Sequence, residues 1–153
     1  MDSKSYLAEW TINYVKNKDI VAKKIVNAGK NKDGFDLCIK YKDRENYFVI
    51  MPVLSDMNTV LQKLNGSAHY TIVALNSEEN FKTLIENWSK LVNFKLLSVI
   101  FANPFSNLDK RWVIYPHTHD KICDASSLKT GLRSMFEMVE PIEENSFAAK
   151  IKG

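Results

Sequence analysis

Apolar positions along this chain switch between a period of two and a period near 3.6, and the switches predict a mixed α/β fold. The pattern is densest at residues 34–54, GFDLCIKYKDRENYFVIMPVL. Residues 35–41 alternate: Leu37 and Ile39 face one way, and Asp36, Cys38, Lys40 and Lys42 the other, as on a strand with one covered face. Residues 47–54 are apolar on both parities, which marks a central strand covered on both faces. The polar run 42–46 joins the two as a tight turn, so a hairpin stands at the centre of the chain.

The remaining elements follow from the same periodicities. Leu7, Trp10 and Tyr14, flanked by Tyr6 and Val15, recur at helical spacing over 3–16. The second half of 20–28 reads as a first strand, and 29–34 as a polar turn with a glycine at each end. Asp56 is placed to cap a short helix through Leu64, with Asn65 and Gly66 as its stop. HYTIVAL at 69–75 has the β-branched content of a strand. Ser77 caps a helix in which Glu78 and Glu79 favour the positive end of the dipole, and Phe81, Leu84, Ile85, Trp88 and Leu91 form the stripe.

Residues 96–102 and 111–115 read as two further strands, the second ending near Pro116. Asp124 caps a last helix with Leu128, Leu132, Met135, Phe136 and Val139 inward and Pro141 at its end. Gly131 inside that helix costs about 1 kcal/mol against alanine, which predicts a close packing contact there. The expected order is α-β-β-β-α-β-α-β-β-α in a single α/β domain over 1–142. A loosely ordered tail follows at 143–153, with Phe147 and Ile151 able to dock.

Composition changes this picture little. With 153 residues the chain can bury a sizeable core without disulfides. A net charge of +3 permits a nucleic-acid partner without arguing for one, because a basic patch acts locally. Lysines do cluster early, at Lys16, Lys18, Lys23, Lys24, Lys30 and Lys32, with Lys42 following in the hairpin turn. Cys38 and Cys123 match no metal spacing and read as buried, reduced thiols. The absence of a leader at the first residues and of a long apolar span predicts a soluble, cytoplasmic protein with no membrane partner.

The element order, with Asp36 beginning the second strand after Gly34 and Phe35, resembles the restriction-endonuclease-like superfamily, the PD-(D/E)XK nucleases. The resemblance implies a core of a helix, three antiparallel strands, a helix and a fourth strand. An acid begins the second of those strands, an acid-x-Lys triplet lies on the third, and many members add a glutamate from the first helix. These groups serve Mg²⁺-dependent cleavage, in which carboxylates converge on the cation and a lysine stands near the attacking water or leaving phosphate. Carried onto this chain, Asp36 matches the first acid and Glu9 the helix glutamate. The third strand has Ile50-Met51-Pro52-Val53 where the triplet should stand, with neither acid nor lysine. Methionine is no ligand for Mg²⁺, and the proline marks a bulge or the strand's end.

Two roles are therefore expected on that fold. In one the catalytic site is degenerate, and the domain binds DNA or RNA, or serves assembly, through Lys23, Lys24, Lys30, Lys32 and Lys42. In the other the site has migrated to Asp36, Lys40 and Glu9, with Mg²⁺ or Mn²⁺ as cofactor. Residues 101–119, FANPF through WVIYPHTH, also look like parts of uncharacterised proteins of this fold.

Two further constellations stand apart. If the strand continues through Pro116, His117 and His119 share a face and could bind Zn²⁺ or another transition metal with Asp120 or Cys123 nearby, Asp36 being the metal ligand that the nuclease reading expects. A third role is a homodimer built on the edge strand around Trp112, since pairing removes an exposed strand edge. No glycine-rich phosphate loop, nucleophile elbow or dinucleotide fingerprint is present, which disfavours the enzyme classes that need them.

Overall fold

In a computed structural model of the protein, described over residues 1–65 and 67–153, six strands lie side by side in the order in which they occur in the chain. Helix α1 (Ser3–Lys18) precedes β1 (Ile25–Lys32), β2 (Phe35–Tyr41) and β3 (Glu45–Ile50). Then come α2 (Met57–Lys63), β4 (His69–Leu75), α3 (Glu78–Glu86) and α4 (Trp88–Leu91). The chain closes with β5 (Leu97–Ala102), β6 (Arg111–Ile114), α5 (Pro116–Ile122), α6 (Ala125–Phe136) and α7 (Glu144–Lys152). Strands β1, β2 and β3 form an antiparallel meander, β3, β4 and β5 run parallel, and β6 returns antiparallel on β5. The fold is thus of the α/β class, a mixed open sheet with helices on both faces.

The faces follow the sequence parities. Val49, Ile72, Ala74, Val99, Phe101 and Ile114 meet residues of α2, α3, α4 and α6, among them Val60, Leu84, Leu91 and Phe136. On the opposite face Leu37, Ile39, Phe48, Ile50, Val73 and Ile100 meet Leu7 and Val15 of α1 and Phe147 of α7. Strand β3 contributes to both layers, as its unbroken apolar run requires. Four helix starts carry the expected kind of cap: Asp2, Asp56, Ser77 and Asp124 each accept a backbone N–H three residues on, an arrangement worth ~1 kcal/mol each.

Three buried asparagines lie at the C-terminal end of the parallel strands. Asn76 Nδ2 donates to the carbonyls of Phe136 and Val139, and its Oδ1 accepts the indole N–H of Trp112. Asn80 Nδ2 donates to the carbonyls of Pro52 and Leu75 and its Oδ1 accepts from Leu54 N. Asn103 Nδ2 donates to the Glu140 carbonyl. Asn80 thus holds the carbonyls just past β3 and at the end of β4, and Asn76 and Asn103 hold carbonyls at and after the end of α6, so these buried polar groups are satisfied.

The structure corrects several sequence expectations. Strand β1 begins at Ile25 and runs through Lys32, so most of the expected 29–34 turn is strand. Its paired residues escape recognition because only Ile25 and Gly29 are even half-buried. The long helix after Ser77 breaks at Asn87, whose side chain bonds the Thr83 carbonyl. Residues 116–122 are helical rather than a strand extension: Pro116 takes the first position of α5, where its missing N–H costs nothing. The tail expected to be loose is helix α7, held by Phe147 at 0% exposure, a burial worth roughly 1.5–3 kcal/mol. Gly131 is exposed, with nothing near the position a Cβ would take, so no packing contact explains it. The expected stop at Gly66 lies outside the described residues; α2 gives way at Leu64, whose backbone is extended.

Candidate functional site

Asp36 sits where strand alternation breaks. Residues i and i+2 of a regular strand share a face, yet Phe35 packs with the α2–α6 layer and Leu37 with the α1 layer. The carboxylate is occupied on both oxygens: Oδ1 lies 2.9 Å from Lys4 Nζ of α1, and Oδ2 accepts the backbone N–H of Ile50 at 2.8 Å. It therefore closes the end of the β2–β3 ladder, which has its last paired residues at Leu37 and Phe48. Met51 N donates to the Val73 carbonyl and the Pro52 carbonyl accepts from Leu75 N, so the place of an acid-x-Lys triplet is filled by backbone pairing. Glu9 and Lys40 are exposed, and Lys40 stands opposite Glu45. Among the described residues no three of His, Cys, Asp and Glu come together to hold a metal ion. A Mg²⁺ or Mn²⁺ ion at Asp36 would have to displace Lys4 and would lack a second carboxylate, so the residues present do not fit that cofactor.

The histidine pair is also divided. On a helix, positions two apart do not face each other. His117 Nδ1 is 2.8 Å from the Val92 carbonyl, whereas His119 Nε2 is 3.5 Å from Cys123 Sγ and its ring meets the edge of Trp88. Asp120 accepts the Trp88 indole N–H. Both histidines thus tie α5 to its surroundings, and they share no ligand face. Cys38 is buried as expected, and burial pushes its thiol above the usual cysteine range, which keeps it protonated and unreactive. Cys123 is only half-buried.

The proposed basic residues separate along β1. Lys30 and Lys32 lie opposite Leu37 and Phe35, toward the Asp36 end of the hairpin. Lys23 takes a left-handed backbone with φ 51°. Lys24 and Lys42 are joined by a backbone hydrogen bond at the other end, and there Lys24 lines a hollow of about 580 Å³.

This hollow opens on the α1 face of the sheet, beyond the C-terminal end of α1. Its floor is a polar row across three strands: Asn46 of β3, Thr71 of β4 and Ser98 of β5. Thr71 Oγ1 donates to Asn46 Oδ1 at 3.3 Å and lies 2.9 Å from Ser98 Oγ. Its rim carries Lys18, Lys24, Arg44, Tyr14, Tyr41 and Tyr115. The Arg44 guanidinium lies over the Tyr41 ring, 4.3 Å from its centroid. Burial pushes the Tyr41 phenol above its ordinary range, against the opposing effect of Arg44, so it stays neutral under that cation.

A second hollow of about 640 Å³ adjoins the first, sharing Tyr14 and Lys18 and adding Trp10, Lys110 and Arg111. Tyr14 stacks on Trp10 with centroids 5.4 Å apart and carries Lys18 and Arg111 over its ring at 5.4 and 5.0 Å. Three carboxylates line the track, Asp19, Asp43 and Asp109, and the first two are engaged locally. Asp19 accepts the backbone N–H groups of Lys24 and Ile25, and Asp43 pairs with Arg44.

Apart from Lys18 and Lys24, which belong to the early lysine cluster, sequence reasoning missed this site, because Arg44 and Arg111 come from two other, distant segments. One signal was present. Asn46, Thr71 and Ser98 stand two residues before Phe48, Val73 and Ile100, on the same parity as those core positions. Polar residues on an inward face, at neighbouring strand starts, mark where the helical cover stops. No family model, no curated protein and no solved structure matches the chain.

Proposed function

We propose that the protein is a nucleic-acid-binding module, on a restriction-endonuclease-like core whose catalytic site is degenerate. The single observation that carries this reading is the track formed by the two adjoining hollows, where Lys18, Lys24, Arg44 and Arg111 alternate with Tyr14, Tyr41 and Trp10. Cations follow a phosphate backbone and aromatic faces stack bases, a combination suited to single strands. The order of a helix, three antiparallel strands, a helix and a strand supports the resemblance of the core. Asp36 in its structural pairing, and Met51 with Val53 where an acid and a lysine would stand, support degeneracy of the site.

The test is fluorescence anisotropy of labelled single-stranded and duplex DNA and RNA over a salt series, with Mg²⁺, Mn²⁺ or EDTA, and with intact length checked on a gel. The expected result is single-strand binding that weakens steeply with salt, without metal-dependent cutting. Absence of binding at low salt would overturn the reading. Cutting that requires the metal and is lost in Asp36→Asn would overturn the degeneracy.

A further inference from the structure

We propose that β1 is a docking edge for another chain, and that it adds an extended acidic peptide to the sheet as one more strand. Among the described residues, β1 pairs with β2 on one side and with no strand on the other. None of its eight residues is buried, and of these Ile25 is the one that packs against the α1 layer. The opposite end of the sheet differs: β6 has four residues and buries Trp112 and Ile114. A long strand with an open edge presents a row of unpaired amide and carbonyl groups, which is what an added strand binds. No residue of β1 lines either hollow, so this surface is separate from the track.

Charge selects the occupant. β1 carries Lys30 and Lys32 and no acid, and neither lysine has an ion-pair partner among the described residues. Residues opposite each other on paired strands share a face. Lys30 stands opposite Leu37 of the α1 layer, and Lys32 opposite Phe35 of the α2–α6 layer, so the edge shows a cation on each face. The nearby Asp36 cannot neutralise them, because Lys4 and the Ile50 N–H hold it. A second copy of β1 would set lysines against lysines, which is how basic edges resist pairing with themselves. An acidic strand reverses that sign: its carboxylates meet a lysine on whichever face they stand, and opposite charges across paired strands attract. Val26 and Ala28 are also exposed and offer apolar contact, so alternating acidic and aliphatic residues fit the edge.

The experiment uses a labelled peptide of alternating glutamate and valine, as long as β1 and capped at both ends, and the same sequence N-methylated at every residue. Anisotropy titration at low salt is paired with amide hydrogen exchange of the complex. The expected result is that the plain peptide binds, and more weakly as salt rises. The N-methylated peptide keeps its charge but has no N–H to donate, and should not bind. Lys30→Glu combined with Lys32→Glu should weaken binding at least about tenfold, whereas Arg44→Ala, which alters the larger hollow, should change it less than about twofold. Alternate amides of residues 25–32 should gain protection, because a strand bonds each neighbour through every second residue. No binding of the plain peptide at low salt, equal binding of both peptides, or no gain of protection in β1 would overturn the proposal. A loss in Arg44→Ala as large as in the lysine variant would overturn it too, by placing the peptide in the hollow.

Discussion

The indole N–H of Trp112 donates to Asn76 Oδ1 at 2.7 Å, and that bond ties the edge strand β6 to the end of the central strand β4. Asn76 is 0% exposed and Trp112 4%. The same amide holds the carbonyls of Phe136 and Val139 at the end of α6. Asn76→Leu would strip the indole N–H and the Val139 carbonyl of these partners in the interior, each costing about 1–3 kcal/mol, while the Phe136 carbonyl keeps the Val139 N–H at 3.4 Å. The expected loss is at least about 2 kcal/mol in urea unfolding, and Asn76→Asp should not restore it, since a carboxylate offers the carbonyls no donor. A loss within about 1 kcal/mol would show that the junction is held by packing alone.

Trp112 is also the residue on which an edge-strand homodimer is expected from sequence. Its ring stacks on Phe101 inside the core, with centroids 4.6 Å apart. The alternation that hides Trp112 is ordinary strand parity, and the edge that β6 leaves is only four residues long.

Asp36 separates a structural role from a catalytic one. Asp36→Asn keeps an oxygen for the Ile50 N–H and loses the pairing with Lys4, whose side chain is 57% exposed. Exposed pairs of this kind are worth about 0–1 kcal/mol, so the substitution should lower stability by no more than that. Asp36→Ala strands the Ile50 amide and should cost about 1–3 kcal/mol. Denaturant titration of the two variants checks the order, and equal losses would contradict the assigned bond.

Alkaline pH should act through Tyr47. Its hydroxyl donates to Glu45 Oε2 at 2.8 Å, and that bond, with burial second, pushes its pKa up to about 12 from the ordinary 10. A folded-state value above the unfolded one favours the neutral phenol in the native protein. The contribution is therefore complete below pH 10 and is lost as pH rises from 10 to about 12. Tyr47→Phe should be less stable near neutrality and show a shallower loss across that window, read as unfolding midpoints in a pH series.

Among the lysines expected from sequence to touch nucleic acid, position decides. Lys24→Ala should weaken single-strand binding and lower the salt slope by about one, and Arg44→Ala should act similarly while also removing the cation over Tyr41. Lys30→Ala and Lys32→Ala, at the far end of β1, should leave affinity within about twofold at moderate salt, where charges beyond the Debye length are screened. Anisotropy titrations of the four variants check this, and equal losses in all of them would point to diffuse attraction instead of a track.

The fold was legible because local pattern and tertiary burial agree for most strands and helices: β2 has the bounds its alternation predicts and β4 those its β-branched run predicts. It was not legible where one residue type serves two purposes. Pro116 can end a strand or begin a helix, and only the packing of α5 decides for the helix, which separates His117 from His119. Phe147 and Ile151 stand four apart, a helical spacing, but they are too few to specify α7 without the surface of α1 to receive them. The groove was hidden for a different cause. Its charges and rings derive from α1, the β2–β3 turn and β6, and no local pattern records that these meet.

Sequential strand order has a consequence for how the chain leaves the ribosome. Each strand lies beside its predecessor, so the sheet can extend at one edge as synthesis proceeds, and no strand must be inserted between two others. The layer containing α2, α3, α4 and α6 can close nearly in step. The opposite layer cannot, because α7 packs on α1 and Ser3 Oγ bonds Glu144 Oε1 across 141 positions. Leu37, Phe48 and Ile100 must therefore wait with an incomplete cover until the last helix emerges, which makes this face of the nascent chain the one with apolar surface for a chaperone to hold.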